Sequence, residues 1–160
     1  MENAAYFAYS SQMEGIVSAI HTPIGVSAAI EITDIAQIPG EGVQWVNALW
    51  DTGAMCSCIS KRCAGILGLE IINITHMATA SHLVEVPVYM AHLYIPEFPA
   101  FVYLEVLEFQ DISDNCDLII GMDIIAQGDL AITNFGGSTF FSFRMPSLQT
   151  IDFEGELRRS

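Results

Sequence analysis

The sequence predicts an all-β domain, and three observations point that way. Short runs of β-branched and aromatic residues recur along the 160 residues, separated by clusters of Gly, Pro, Asn and Asp, as the strands of a barrel or sandwich are. Helix signals are confined to two short segments, residues 60–68 and 121–127. Hydrophobic residues make up 52% of the chain and charged residues 15%, which excludes intrinsic disorder. A chain of this length buries roughly 68–70% of its unfolded surface, enough for a core that needs no disulfide or metal. With so little charge, the surface also keeps apolar area that a second copy of the chain would cover most simply.

Residues 25–35 alternate loosely and read as a strand, followed by a loop over residues 37–42 that holds Pro39, Gly40 and Gly42. Residues 43–50 make a strong strand that runs apolar straight into Asp51. In the segment 60–68, Ser60 is placed to cap a short helix and Gly68 to stop it. Residues 71–96 read as two strands around a polar tip, residues 75–82. In the second arm Val84, Val86 and Val88 share one face, opposite Glu85, Pro87 and Tyr89. Residues 101–109 are a further strand, and an acidic turn follows at 111–115. Residues 117–120 are short and almost wholly apolar, as a fully buried strand is, and 121–127 read as a helix that stops at Gly128. Residues 130–134 and 138–145 pair across the turn Phe135-Gly136-Gly137. These elements place one domain at residues 25–147, with an N-terminal segment of no assigned role (1–24) and a polar tail (148–160).

Five Lys and Arg against 19 Asp and Glu give a formal charge of −14. Nucleic-acid binding rests on cationic contacts to phosphate, which this balance excludes, and an anionic membrane surface is disfavoured for the same reason. The N-terminus lacks a basic start, and the apolar stretch 16–30 is broken by His21 and Pro23, so neither a signal peptide nor a spanning helix of about 18 apolar residues is expected. Four cysteines, Cys56, Cys58, Cys63 and Cys116, then read as free thiols in a reducing cytoplasm. Cys56, Cys58 and Cys63 supply only one close couple, short of the two that a zinc site pairs. His76 and His82 lack partners at ligand spacing, and Asp111, Asp114 and Asp117 lack the dense loop and closing Glu of a calcium site. No metal and no cofactor is expected. The one regulatory role the thiols suggest is oxidation of Cys58 or Cys63 distorting the neighbouring loop.

Two motifs carry chemistry. In Ala48-Leu49-Trp50-Asp51-Thr52-Gly53-Ala54 an apolar strand delivers one carboxylate to its end. An acid that activates water needs desolvation to tune it, a hydroxyl neighbour to fix its geometry, and a glycine that lets substrate backbone approach. In Asp117-Leu118-Ile119-Ile120-Gly121-Met122-Asp123-Ile124-Ile125 a buried strand joins a short helix through a glycine. Taken singly, the first is also an ordinary turn and the second an ordinary core strand.

In this order, with a β-hairpin between them, the two motifs resemble those of the retropepsin-like aspartic proteases, and the resemblance extends over residues 26–147. Asp51-Thr52-Gly53-Ala54 matches the first element of that family and Ile119-Ile120-Gly121 the second, with Asp123 where members often carry a polar residue. The resemblance implies an all-β, pepsin-like closed barrel with a flap hairpin and one or two short helices. It also implies a homodimer, because the chain has a single Asp-Thr-Gly and an isologous contact is what sets a residue against its own copy. Asp51 of each subunit would form the dyad of an aspartic endopeptidase. As is known for such enzymes, two carboxylates about 3 Å apart hold one proton between them. Thr52 and Gly53 would complete the catalytic loop, and Ile119, Ile120 and Gly121 would support it from behind. Substrate, a peptide or protein, would meet Ala54 and Met55 from below and Ala78, Thr79, Ala80 and Ser81 of the flap tip from above.

The sequence departs from the family pattern in two places. No glycine occurs between Gly68 and Gly121, whereas family flaps usually carry one near the tip, and Met55-Cys56 stands where viral members often have acidic residues. The alternative reading is therefore a catalytically silent dimer of the same fold that binds peptides or serves a structural role. A third, an unrelated acidic β-barrel with chance motifs, shares only the fold class.

Overall fold

The computed structural model describes residues 6–29, 42–78, 83–110 and 115–158. The chain builds a closed barrel around a very short strand. Strand β8 (Leu118–Ile120) lies between β3 (Gln44–Trp50), which runs parallel to it, and β4 (Cys58–Ser60), which runs antiparallel. Leu118 and Ile120, on one face of the strand, are fully buried, while Ile119 on the other face is half-buried. From there β3 pairs with β2 (Ile20–Ala28), and β4 pairs with β7 (Phe101–Phe109), which pairs with β6 (Leu83–Tyr94). The ring closes where Gly25 to Ala28 of β2 pair with Tyr94 to Ala91 of β6.

Strand β6 serves two structures. Its last residues form that seam, while its first residues pair with β5 (Ile71–Ala78) in a hairpin that stands out from the barrel as an edge. The two arms reach further toward the tip than the sequence suggested: residues 75–78 continue β5 in register with residues 83–86. The tip itself, residues 79–82, lies outside the described residues, as do the loop at 30–41 and the acidic turn at 111–114.

A second sheet, β1 (Phe7–Gln12), β10 (Phe140–Met145) and β9 (Asp129–Thr133), is antiparallel throughout. Phe141 and Phe143 of β10 are fully buried, with ring centroids 4.8 and 5.1 Å from Trp50, and Phe98 stacks on Phe143 at 5.5 Å. Aromatic pairs of this kind contribute about 0.5–1.5 kcal/mol each beyond the area they bury. This sheet is thereby fastened to the end of β3. The β9–β10 turn is made by Gly136 and Gly137, both at positive φ (69° and 83°), a conformation that residues with a Cβ disfavour.

The helices are short, as their signals indicate. Ser60 caps α1 (Lys61–Ile66), its hydroxyl accepting from the Cys63 amide, and Gly68 follows at φ 63°. Helix α2 (Met122–Ile125) starts directly after Gly121. Strand β7 carries a bulge opposite His92, with Tyr103 at φ 54°. The buried His92 ring accepts the Tyr103 amide at Nδ1 (3.0 Å), so a backbone donor displaced from the ladder keeps a partner.

Both chain ends differ from expectation. Residues 7–12 form β1, and β2 begins at Ile20, not at residue 25. Small residues, Ala8, Ser10 and Ser11, mute the alternation of β1, and Pro23 reads as a strand breaker. Pro23 is accommodated because this half of β2 has a ladder on one side only. Thr139, fully buried, ties the connecting segment down by bonds to Met13, Gly15 and Val17. The tail carries a third helix, α3 (Phe153–Leu157), capped by Asp152.

Asp129 clamps the start of that tail. Its carboxylate accepts from the Ser147 hydroxyl, the Leu148 amide (3.0 Å) and Arg144 Nε (2.7 Å), and these donors, in that order, lower its pKa to about 2. A depressed carboxylate contributes stability that is present above the ordinary value and lost as pH falls through the folded one. The Leu148 amide should therefore stay protected from hydrogen exchange down to about pH 3 and lose protection near pH 2. In an Asp129→Ala chain, which has no acceptor at this position, it should exchange freely at every pH.

Candidate active site

The end of β3 is fixed before the acid is reached. Ala48 and Trp50 point into the core, and the Trp50 indole donates to Thr22 Oγ1 at 2.8 Å, a buried bond inside the Phe141 and Phe143 contact. The next residue, Asp51, still spends its amide on the sheet, donating to the Ile120 carbonyl (3.0 Å). The chain then turns. Asp51 Oδ1 accepts from the Gly53 amide (2.8 Å), and the Asp51 carbonyl from the Ala54 amide (3.2 Å), an aspartate turn closed by its own side chain. Oδ2 has no hydrogen bond among the described residues. Asp51 is half-buried, Thr52 and Gly53 are exposed, and Met55 is 84% exposed.

From Ala54 to Ser57 the loop is zipped onto the segment behind it. The Ala54 and Met55 carbonyls accept from the Met122 and Asp123 amides (2.8 and 3.2 Å). The Ser57 hydroxyl accepts from the Gly121 amide (3.1 Å) and donates to Asp123 Oδ1 (2.8 Å), and the Ser57 amide donates to Asp123 Oδ2 (2.9 Å). Gly121 is the point of closest approach. A Cβ there would sit 2.5 and 2.6 Å from the Cys56 carbonyl carbon and oxygen. Ile119 and Ile120 lie one step earlier, opposite Leu49 and Trp50 in the parallel ladder.

The structure thus brings together Asp51, Thr52, Gly53, Ala54, Met55, Ile119, Ile120 and Gly121. Ala78 is apart, the last residue of β5, and Thr79, Ala80 and Ser81 lie outside the described residues. Two residues of the loop's architecture had no signal strong enough to single them out. Ser57 is one small polar residue between two cysteines, and its tie to Asp123 spans two distant segments. Thr22 lies in the stretch masked by Pro23.

The thiols do not form disulfides. Burial, with smaller contributions from Cys56, Asp123 and Asp51, pushes Cys58 up to about 11. Burial and then Asp117 do the same for Cys63, and burial also raises Cys116. Since the thiolate is the reactive form, roughly one Cys58 or Cys63 in 10⁴ is reactive at neutral pH, which argues against the oxidative role that the sequence suggested for them. In the native chain Cys58, Cys63 and Cys116 should resist iodoacetamide at neutral pH and react at the rate of free cysteine only after unfolding, as mass analysis of timed samples would record.

Among the described residues no three His, Cys, Asp or Glu side chains are grouped to hold a metal ion, and no helix is long and apolar enough to cross a membrane. Chemically, the site offers one half-buried carboxylate, held on a strapped loop at an exposed surface, whose one hydrogen-bond partner among the described residues is the Gly53 amide.

No protein-family model and no curated protein sequence matches the chain. Among solved structures it is similar to a retropepsin-like aspartic protease from Rickettsia conorii, at 12% identity and a TM-score of 0.49 over 91% of this chain and 99% of that one. It is also similar to the retroviral protease-like domain of Ddi1 from Leishmania major, at 17% identity and a TM-score of 0.44 over 86% of this chain and all of that one.

Proposed function

We propose that the chain is an aspartic-type endopeptidase that acts as a homodimer, hydrolysing peptide bonds with a water activated by Asp51 of two identical subunits. One observation carries this reading: Asp51 is presented half-buried, one oxygen fixed by the Gly53 amide and the other free, on a loop strapped to a glycine-bearing strand end. A lone carboxylate cannot both take a proton from water and give one to the carbonyl oxygen, and its turn supplies no second acid. Two such loops facing across a two-fold axis do. Their carboxylates share a proton, the charged member deprotonates water, and the neutral member protonates the carbonyl oxygen. Thr52 and Gly53, exposed in the single subunit, are then covered by the mate, and Thr52 braces the pair. The β5–β6 hairpin acts as the flap that excludes water, with Ala78, Thr79, Ala80 and Ser81 over the substrate and Ala54 and Met55 beneath it. The free thiols suit a cytoplasmic location.

The silent peptide-binding dimer is favoured by one feature, the absence of glycine from the whole hairpin. Cleavage of a peptide library across a range of protein concentrations separates the two. Specific activity should rise with concentration and level off as dimer saturates, whereas a silent dimer cleaves at none. A charge of −14 on each subunit opposes association near neutral pH, so sedimentation should show tighter dimers at mildly acidic pH. Looser association at pH 5 than at pH 8 would contradict that expectation.

A further inference from the structure

The loop that bears Asp51 is gripped by a side chain that the hydrolytic scheme does not use. Asp123 opens α2, two residues past Gly121, and among the described residues its carboxylate accepts three hydrogen bonds: from the Ser57 amide on Oδ2 (2.9 Å), and from the Ser57 hydroxyl and Ile124 amide on Oδ1 (2.8 and 3.0 Å). The Ser57 hydroxyl already accepts from the Gly121 amide, and it gives its own proton to Asp123. Ser57 is fully buried, so a donor left unmatched here cannot turn to water.

The near end of the loop is held by the Asp51 amide on Ile120, within the sheet. At the far end the Ser57 carbonyl accepts from the Leu107 amide of β7 (3.2 Å), while its amide and its hydroxyl proton both go to Asp123. We propose that Asp123 is a positioning residue for Asp51: acting through Ser57, its carboxylate fixes the far end of the 51–57 loop and so sets the geometry in which the Asp51 carboxylate is offered. This rests on the endopeptidase reading above, since a positioned acid matters only where it reacts. An acceptor-only group is required. Asparagine has the same shape, but its NH₂ must face either the Ser57 amide or the Ile124 amide, donor against donor.

The test compares Asp123→Asn, Ser57→Ala and the double variant with wild type, scoring kcat per folded dimer, KM, and the alkylation rate of Cys56, the half-buried thiol inside the loop. Each single variant should lower kcat about 10–100-fold with KM little changed, because misplacing a reacting group by about 1 Å costs roughly that much. The double variant should be no worse than the poorer single, the signature of two groups acting through one contact. Cys56 should alkylate about tenfold faster in each. A residue needed only for stability would lower the folded fraction and leave kcat of the folded dimer at wild-type level, and that result overturns the proposal. If wild type cleaves nothing, the endopeptidase reading fails on its own. The Cys56 rate then decides alone: faster in the variants, the grip on the loop stands; unchanged, it falls. Should Asp123→Asn not fold, Ser57→Ala, which keeps the carboxylate and both amides, carries the same comparison.

Discussion

Replacing Asp51 by asparagine is expected to reduce peptide hydrolysis to background, a loss of at least roughly 10³-fold, while leaving the fold and the dimer intact. Asparagine can still accept the Gly53 amide that the Asp51 side chain accepts at 2.8 Å, so the turn survives. What it loses is the ability to carry or take a proton, in both members of a symmetric pair at once. The dyad holds one proton, and so one negative charge, between its two carboxylates; the variant removes that single charge without adding bulk, so sedimentation should show association about as tight as in wild type. The decisive comparison is kcat at saturating protein concentration together with thermal unfolding of both proteins. Equal cleavage by wild type and variant would place the activity in another site or in a contaminant.

The second large effect is expected from Gly121→Ala. The new methyl would stand 2.5 Å from the Cys56 carbonyl carbon, 2.6 Å from its oxygen and 3.0 Å from the Ser57 amide nitrogen, all backbone atoms with no rotamer to yield. One of the two segments must withdraw. Withdrawal strains or breaks the bonds from Gly121 to Ser57, from Met122 to Ala54 and from Asp123 to Met55. Overpacking of this kind costs about 1–3 kcal/mol, or roughly 3–10 °C in melting temperature for a chain of this size. Activity should fall further than stability, by about 10²-fold in the folded fraction, because the displaced loop carries the acid. Gly65 gives the control: a Cβ there meets nothing within 4 Å, in a helix that alanine suits better, so Gly65→Ala should leave activity unchanged and raise the melting temperature slightly. Wild-type stability and turnover in Gly121→Ala would mean that the close approach carries no functional weight.

Legibility followed the range of the physical signal. The strand that delivers Asp51 could be read because Val46, Ala48 and Trp50 alternate over several residues and end at a turn-forming tripeptide. The cap at Ser60 and the stop at Gly68 are local chemistry and stood where the sequence put them. Strand β4 escaped notice because three residues, Cys58 to Ser60, are too few to display a period. Strand β1 escaped because alanine and serine carry almost no hydrophobic contrast. The parallel pairing of β3 with β8, the division of β6 between hairpin and seam, and the grip of Asp123 on Ser57 are contacts between distant segments. No window along the chain encodes them. They follow from which apolar faces find one another, and only the resemblance of the paired motifs pointed toward the first.

The shared strand β6 has a mechanical consequence. Residues 88–93 are held in the wall by β7, and residues 91–94 also by β2, while residues 83–87 project beyond it alongside β5, so the projecting part is a cantilever with its root clamped. A clamped beam does not swing like a gate. It deflects gradually, least at Pro87 and most toward Leu83, and stiffening or loosening the root where Val88 pairs with Leu107 changes the deflection everywhere beyond it.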